Sequence, residues 1–163
     1  MALIASAQAL AQRAASSGKR ARTLSVADAA LLARKLGASY PTWLADLLMT
    51  VPLCGLELGW QAPAPEQDDA DVRWLGWCDA EGIISESVEC YPGLAILPLG
   101  YVNVASCSSG SGDPYFISIH EGSDPPLYQI FHDLSDRGEL IISEGRELVA
   151  SSLSEFFERA RLD

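Results

Sequence analysis

Two histidines, four cysteines and scattered carboxylates are the side chains of this 163-residue chain that invite a search for chemistry. His120 and His132 stand twelve residues apart, and neither belongs to an H-E-x-x-H or comparable metal-binding spacing. His132 and Asp133 read as a base beside an acid, but neighbours on a strand point to opposite faces. Both histidines are therefore read as structural or exposed. Cys54, Cys78, Cys90 and Cys107 contain no C-x-x-C pair, the close spacing that zinc ribbons and thiol exchange require. They read as reduced thiols of a cytoplasmic protein, with disulfide pairing left open. Asp68, Asp69 and Asp71 sit in a segment without large apolar neighbours, so they would be solvated rather than tuned for acid–base work. Ser108-Ser-Gly-Ser-Gly112 is Gly/Ser-rich but lacks the lysine of a phosphate loop. No G-x-S-x-G elbow is present. The chain is accordingly assigned no catalytic residue, no metal and no cofactor.

The elements that would position such residues can be read from spacing. Residues 2–16 are helix formers with few strong apolar side chains, consistent with a loose helix or a frayed arm. Ser16 to Arg22 reads as a basic hinge. Ser25-Val-Ala-Asp28 resembles a capping box and opens a helix to about Leu36, ended by Gly37. Pro41 suits the first turn of a second helix, whose stripe is Trp43, Leu44, Leu47, Leu48 and Val51. Residues 56–60 alternate like a strand, and Gln61 to Asp71 reads as a surface loop. Asp79 is placed to cap a short helix carrying Ile83, Ile84 and Val88. Further strands are expected at 94–97, 101–105, 115–119, 127–131 and 139–143. Ser152-Leu-Ser-Glu155 caps a closing helix with Leu153, Phe156, Phe157 and Ala160 on one face. The order predicts an α+β fold, with N-terminal helices and a C-terminal helix packed on one mostly antiparallel sheet. Residues 1–24 form an Ala-rich basic arm and residues 25–163 one domain.

Composition supports a single core. About half the residues are apolar, and no run approaches the roughly 20 needed to span a bilayer. Net charge is −11, unevenly divided. Residues 1–37 carry six basic groups against Asp28, a net of +5. The remainder carries five arginines against 21 acids, a net of −16. Such a body repels phosphate backbones, so nucleic-acid binding by the main domain is disfavoured, and it attracts a basic partner. The same charge also serves solubility alone.

Several segments, in this order, resemble the SUKH superfamily of cell-wall assembly regulators and bacterial toxin-immunity proteins. Ser39-Tyr-Pro-Thr-Trp-Leu-Ala-Asp-Leu-Leu48 resembles its early helix. Trp77 to Glu89 is similar to its middle segment, and Leu97-Pro-Leu-Gly100 to its "LPIG" turn. Gly110-Ser-Gly-Asp113-Pro-Tyr115-Phe-Ile resembles its "G-x-GD-x-Y" strand entry. Tyr128 to Asp133 resembles the next strand, and Val149 to Phe157 its closing helix. The resemblance implies a non-enzymatic protein-binding module that neutralises or regulates a partner such as a basic toxin domain.

For that function the candidate partner-binding residues are Asp68, Asp69, Asp71, Glu81, Glu86, Tyr101, Asp113, Tyr115 and Asp124. The GD-Tyr stretch serves equally well as a fold element. Two alternatives stay open. One is a small-ligand module with a pocket beside Trp60, Trp74, Trp77 and Tyr115. The other is a hydrolase-type enzyme using His132, Asp133 and Asp113.

Overall fold

A computed structural model describes residues 2–62 and 72–163. The expected loop with Asp68, Asp69 and Asp71 lies, from residue 63 onward, outside the described residues.

The fold is α+β, with helices packed on one antiparallel sheet. Helix α1 spans Ala2–Ser16, α2 Val26–Leu36 and α3 Thr42–Thr50. The α2 capping box forms as the sequence indicates. Ser25 Oγ accepts the Asp28 N–H at 3.0 Å, and Asp28 Oδ2 accepts the Ser25 N–H at 3.0 Å. Pro41 sits one position earlier than expected, at the N-cap of α3.

Among the described residues six strands follow in sequence order across the sheet: β1 Glu57–Gln61, β2 Val72–Trp77, β3 Tyr101–Cys107, β4 Tyr115–Ser118, β5 Leu127–Ile130 and β6 Arg146–Ala150. Every neighbouring pair is antiparallel. The sheet curls. In a flat sheet β2 and β6 would lie about 19 Å apart, yet Arg73 of β2 donates to Glu147 of β6 at 2.7 Å.

The curl divides the core in two. The larger cluster gathers Leu58, Leu75, Trp77, Ile117 and Leu127 on the inner face with α1, α2 and α3. Helix α7, Leu153–Arg159, presses Leu153, Phe156 and Phe157 into it. Trp77 stacks on Phe156 at 6.4 Å and tilts against Phe157 at 5.1 Å. Burying each such side chain contributes about 1.5–3 kcal/mol. The smaller cluster, Ile96, Tyr101, Phe116, Tyr128, Ile130 and Ile141, lies on the opposite face. Two short helices, α5 Gly93–Ile96 and α6 Gly138–Glu144, supply its Ile96 and Ile141.

Three segments differ from expectation. Residues 2–16 are not frayed: Leu3, Ala7, Leu10 and Ala14 are buried. Arg13 ties α1 to α7 by donating to the carbonyl of Phe157 at 2.9 Å, near the helix end where free carbonyls attract a cation. The strands expected at 94–97 and 139–143 are the helices α5 and α6. A short apolar run fits a strand or a buried helical turn equally, and tertiary packing decides. Gly93 decides the first case, since a Cβ there would sit 1.8 Å from the Glu86 carbonyl oxygen. The element is thus pinned against Ser85–Glu89, a π-helical turn that continues α4, Ala80–Ile84. Strand β6 has no clear signal in the sequence, because Arg146 and Glu147 break its apolar alternation.

Candidate functional site

Strand alternation puts Trp60, Arg73, Cys107, Tyr115, Gln129 and Glu147 on the inner face, towards one end of the curl. The other end of that face is apolar, so these polar groups bond to one another. Trp60 Nε1 donates to the Tyr115 hydroxyl at 3.0 Å. The Arg73 guanidinium lies 5.3 Å from the Trp60 ring centre and donates to Gln129 Oε1 at 3.0 Å as well as to Glu147. Both charged partners are half-buried, with 29% and 26% of the side chain exposed, so solvent screens the pair in part.

Gln129 links this cluster to the surface. Its Nε2 donates to the Asp113 carbonyl at 3.2 Å. The Asp113 carboxylate, 16% exposed, turns outward and meets His132, whose side chain is 42% exposed. Asp113 Oδ1 accepts the His132 backbone N–H at 3.0 Å and lies 2.7 Å from Nδ1. Hydrogen bonding to Asp113 is the main cause that raises the imidazole pKa above its usual 6.5. Gly112, at φ +81°, lets the loop pass the ring: a Cβ there would be 3.2 Å from His132 Cε1. Burial raises the carboxyl pKa of half-buried Glu86, and the field of His132 opposes the rise. The β-bulge at Asn103 and Ala105 aims this end of the sheet. Asn103 Nδ2 holds the bulge by donating to the carbonyls of Ala105 and Tyr115 at 3.0 and 3.1 Å.

The thiols divide in the same way. Burial pushes Cys54 up to about 11 and Cys78 up to about 12. Burial also raises Cys107. There the Ser111 hydroxyl and the N–H groups of Ser109, Gly112 and Ser111 outweigh burial and hold the thiol below its ordinary value. All four cysteines are free.

The six candidate residues that are described do not form one patch. Asp113 and Tyr115 belong to the network just described, but Tyr115 is fully buried, and burial raises its hydroxyl pKa. Glu86 joins them through its field at His132. Glu81 is exposed in the first turn of α4. Tyr101 lies on the opposite face of the sheet, where its hydroxyl accepts from Arg146 at 2.6 Å. Asp124 is engaged within the fold, where its Oδ1 accepts the Ser154 N–H at 2.9 Å in the first turn of α7. Asp68, Asp69 and Asp71 lie outside the described residues.

The residues raised for the alternatives are likewise dispersed. Trp60, Trp77 and Tyr115 are on the inner face, but Trp74 lies on the other, against Gly59, where a Cβ would sit 2.9 Å from its ring. His132 pairs with Asp113, nineteen residues away, and not with Asp133. Among the described residues no group of three or more His, Cys, Asp or Glu could hold a metal ion. No helix among them is long and apolar enough to cross a membrane.

Sequence reasoning missed Arg73, Gln129 and Glu147. Charged and amide side chains inside strands are ordinarily surface features, and only the curl makes these three meet. Comparison with known proteins finds no match for this chain, whether among family models, curated proteins or solved structures.

Proposed function

We propose that this chain is a protein-binding module: an immunity or regulatory protein that neutralises a basic partner such as a toxin domain, as the SUKH resemblance implies. The observation that carries the reading is the charge partition, −16 over residues 38–163. Complementary charge speeds encounter with a basic protein and selects against acidic ones. The wiring of the polar side chains supports the same reading. Arg73, Gln129, Glu147 and Asp113 are tied to one another, a pattern that fixes a rigid scaffold under the surface. The exposed carboxylate of Glu81 on α4 and the half-buried one of Glu86 on its π-turn then act as steering groups. The partner is expected to release at high salt. Charge reversal at Asp68, Asp69, Asp71 and Glu81 tests this: association with the basic partner slows and loses its salt dependence. An unchanged association rate in that variant excludes the acidic surface.

A second reading has one specific observation in its favour. The 2.7 Å contact of Asp113 with His132 is the geometry of an oriented general base. A hydrolytic activity that disappears in His132→Ala, with folding intact, would replace the binding function by an enzymatic one.

A further inference from the structure

The basic segment that follows α1 is held in place. The helix ends in a left-handed turn at Gly18, φ +76°, and the Lys19 N–H returns to the Ala14 carbonyl at 2.9 Å. The chain then runs antiparallel to the turn after α3. The Arg22 N–H donates to the Cys54 carbonyl at 2.9 Å, and the Cys54 N–H returns to Arg22 at 3.0 Å. Leu24 fixes the far end through the Leu48 carbonyl at 2.8 Å.

Between α1 and this clamped segment lies a groove of about 500 Å³. Its walls are small and apolar, including Ala11, Ala15 and Pro52. Three cations line it: Lys19, Arg20 and Arg22. Arg22 meets Asp79 in an exposed bridge at 3.0 Å. Lys19 and Arg20 are exposed and make no ion pair with any described residue. Cations already arranged around an apolar trough bind with less ordering cost than cations on a free linker.

We propose that this groove docks a short acidic segment of a partner protein, with Asp or Glu alternating with small residues such as Ala. Carboxylates would meet Lys19 and Arg20, and the small side chains would enter the alanine-walled trough. Charge decides the class of occupant. A long polyanion such as RNA or an anionic bilayer would extend over a body of net −16 and be repelled along its length, whereas a short acidic peptide can stay over the basic segment, where residues 1–37 carry a net of +5. The groove is opposite in sign to the acidic surface proposed to face a basic partner, and Arg22 joins it to Asp79 at the N-cap of the helix that carries Glu81.

The test uses the full chain and a rhodamine-labelled peptide of alternating Asp and Ala, followed by fluorescence anisotropy at low salt. Saturable binding is expected, weaker by about tenfold or more in the Lys19→Glu/Arg20→Glu variant. Ala15→Leu, which fills the trough and leaves the charge unchanged, is expected to weaken binding as well. Circular dichroism establishes that each variant is folded, and either variant alone suffices if the other is not. Undiminished binding in a folded variant overturns the proposal. So does equal binding of a Lys-Ala peptide, or tighter binding of an oligothymidylate of the same charge, which would mark a general polyanion surface.

Discussion

Asp113 holds His132 by two contacts from a single carboxylate oxygen, one to the backbone N–H at 3.0 Å and one to Nδ1 at 2.7 Å. The loop 108–113 and the chain after β5 are thereby joined at one point. The contact favours the protonated imidazole, so the folded-state pKa lies above the unfolded value near 6.5. The stability it adds is fully present below pH about 6.5 and is lost as pH rises through the folded pKa. NMR titration of the His132 ring is expected to show a pKa above 6.5. In Asp113→Asn that value falls back, and an unshifted titration would contradict the pairing.

Gln129 is the amide through which Arg73 and the Asp113 carbonyl are connected. It is 1% exposed, so the amide itself is held out of water. Gln129→Leu keeps the volume and removes both bonds. The expected cost is about 1–3 kcal/mol in urea unfolding, from stranded polar groups.

Helix α1 is a part of the core. Leu10 is fully buried within it, and Arg13 reaches the end of α7. Leu10→Ala is expected to destabilise the whole domain by about 2–5 kcal/mol in a single cooperative transition. A separate low-temperature transition for residues 2–16, with the main transition unmoved, would show instead that the helix is dispensable.

The thiols offer a map of accessibility. Cys54 and Cys78 are buried with raised pKa, while Cys107 is partly exposed with a lowered one. Thiolate fraction and access set alkylation rate. Native iodoacetamide labelling followed by mass spectrometry is expected to modify Cys107 well before Cys54 or Cys78. The difference should vanish in denaturant.

Much of this fold is legible from local rules. Ser25 and Asp28 announce the α2 cap, Asp79 caps α4 and Ser152 caps α7, because a cap is a contact between near neighbours. Four of the expected strands, around residues 57, 101, 115 and 127, are strands. The segments misread are those where distant chain decides. Leu94-Ala-Ile-Leu97 turns helical where Gly93 meets Glu86, and the 139–143 run does so where Gly138 packs on Ala95. The network around Arg73 is invisible in the sequence for the same reason: its members come from strands two, five and six and meet only when the sheet curls. A motif marks Asp113, but nothing local marks its partner His132. The attractive neighbour in sequence, Asp133, is not the neighbour in space.

Affinity capture with two forms of the chain tests whether its acidic side chains bind a basic protein. Tagged wild type and a variant with Asp68, Asp69, Asp71 and Glu81 all changed to Lys are passed over native lysate at low and at high salt. Asp124 is left intact because it holds the first turn of α7. One basic protein is expected to be retained by the wild type at low salt, released at high salt and absent from the variant. The same protein retained equally by both forms, or retention indifferent to salt, would contradict it.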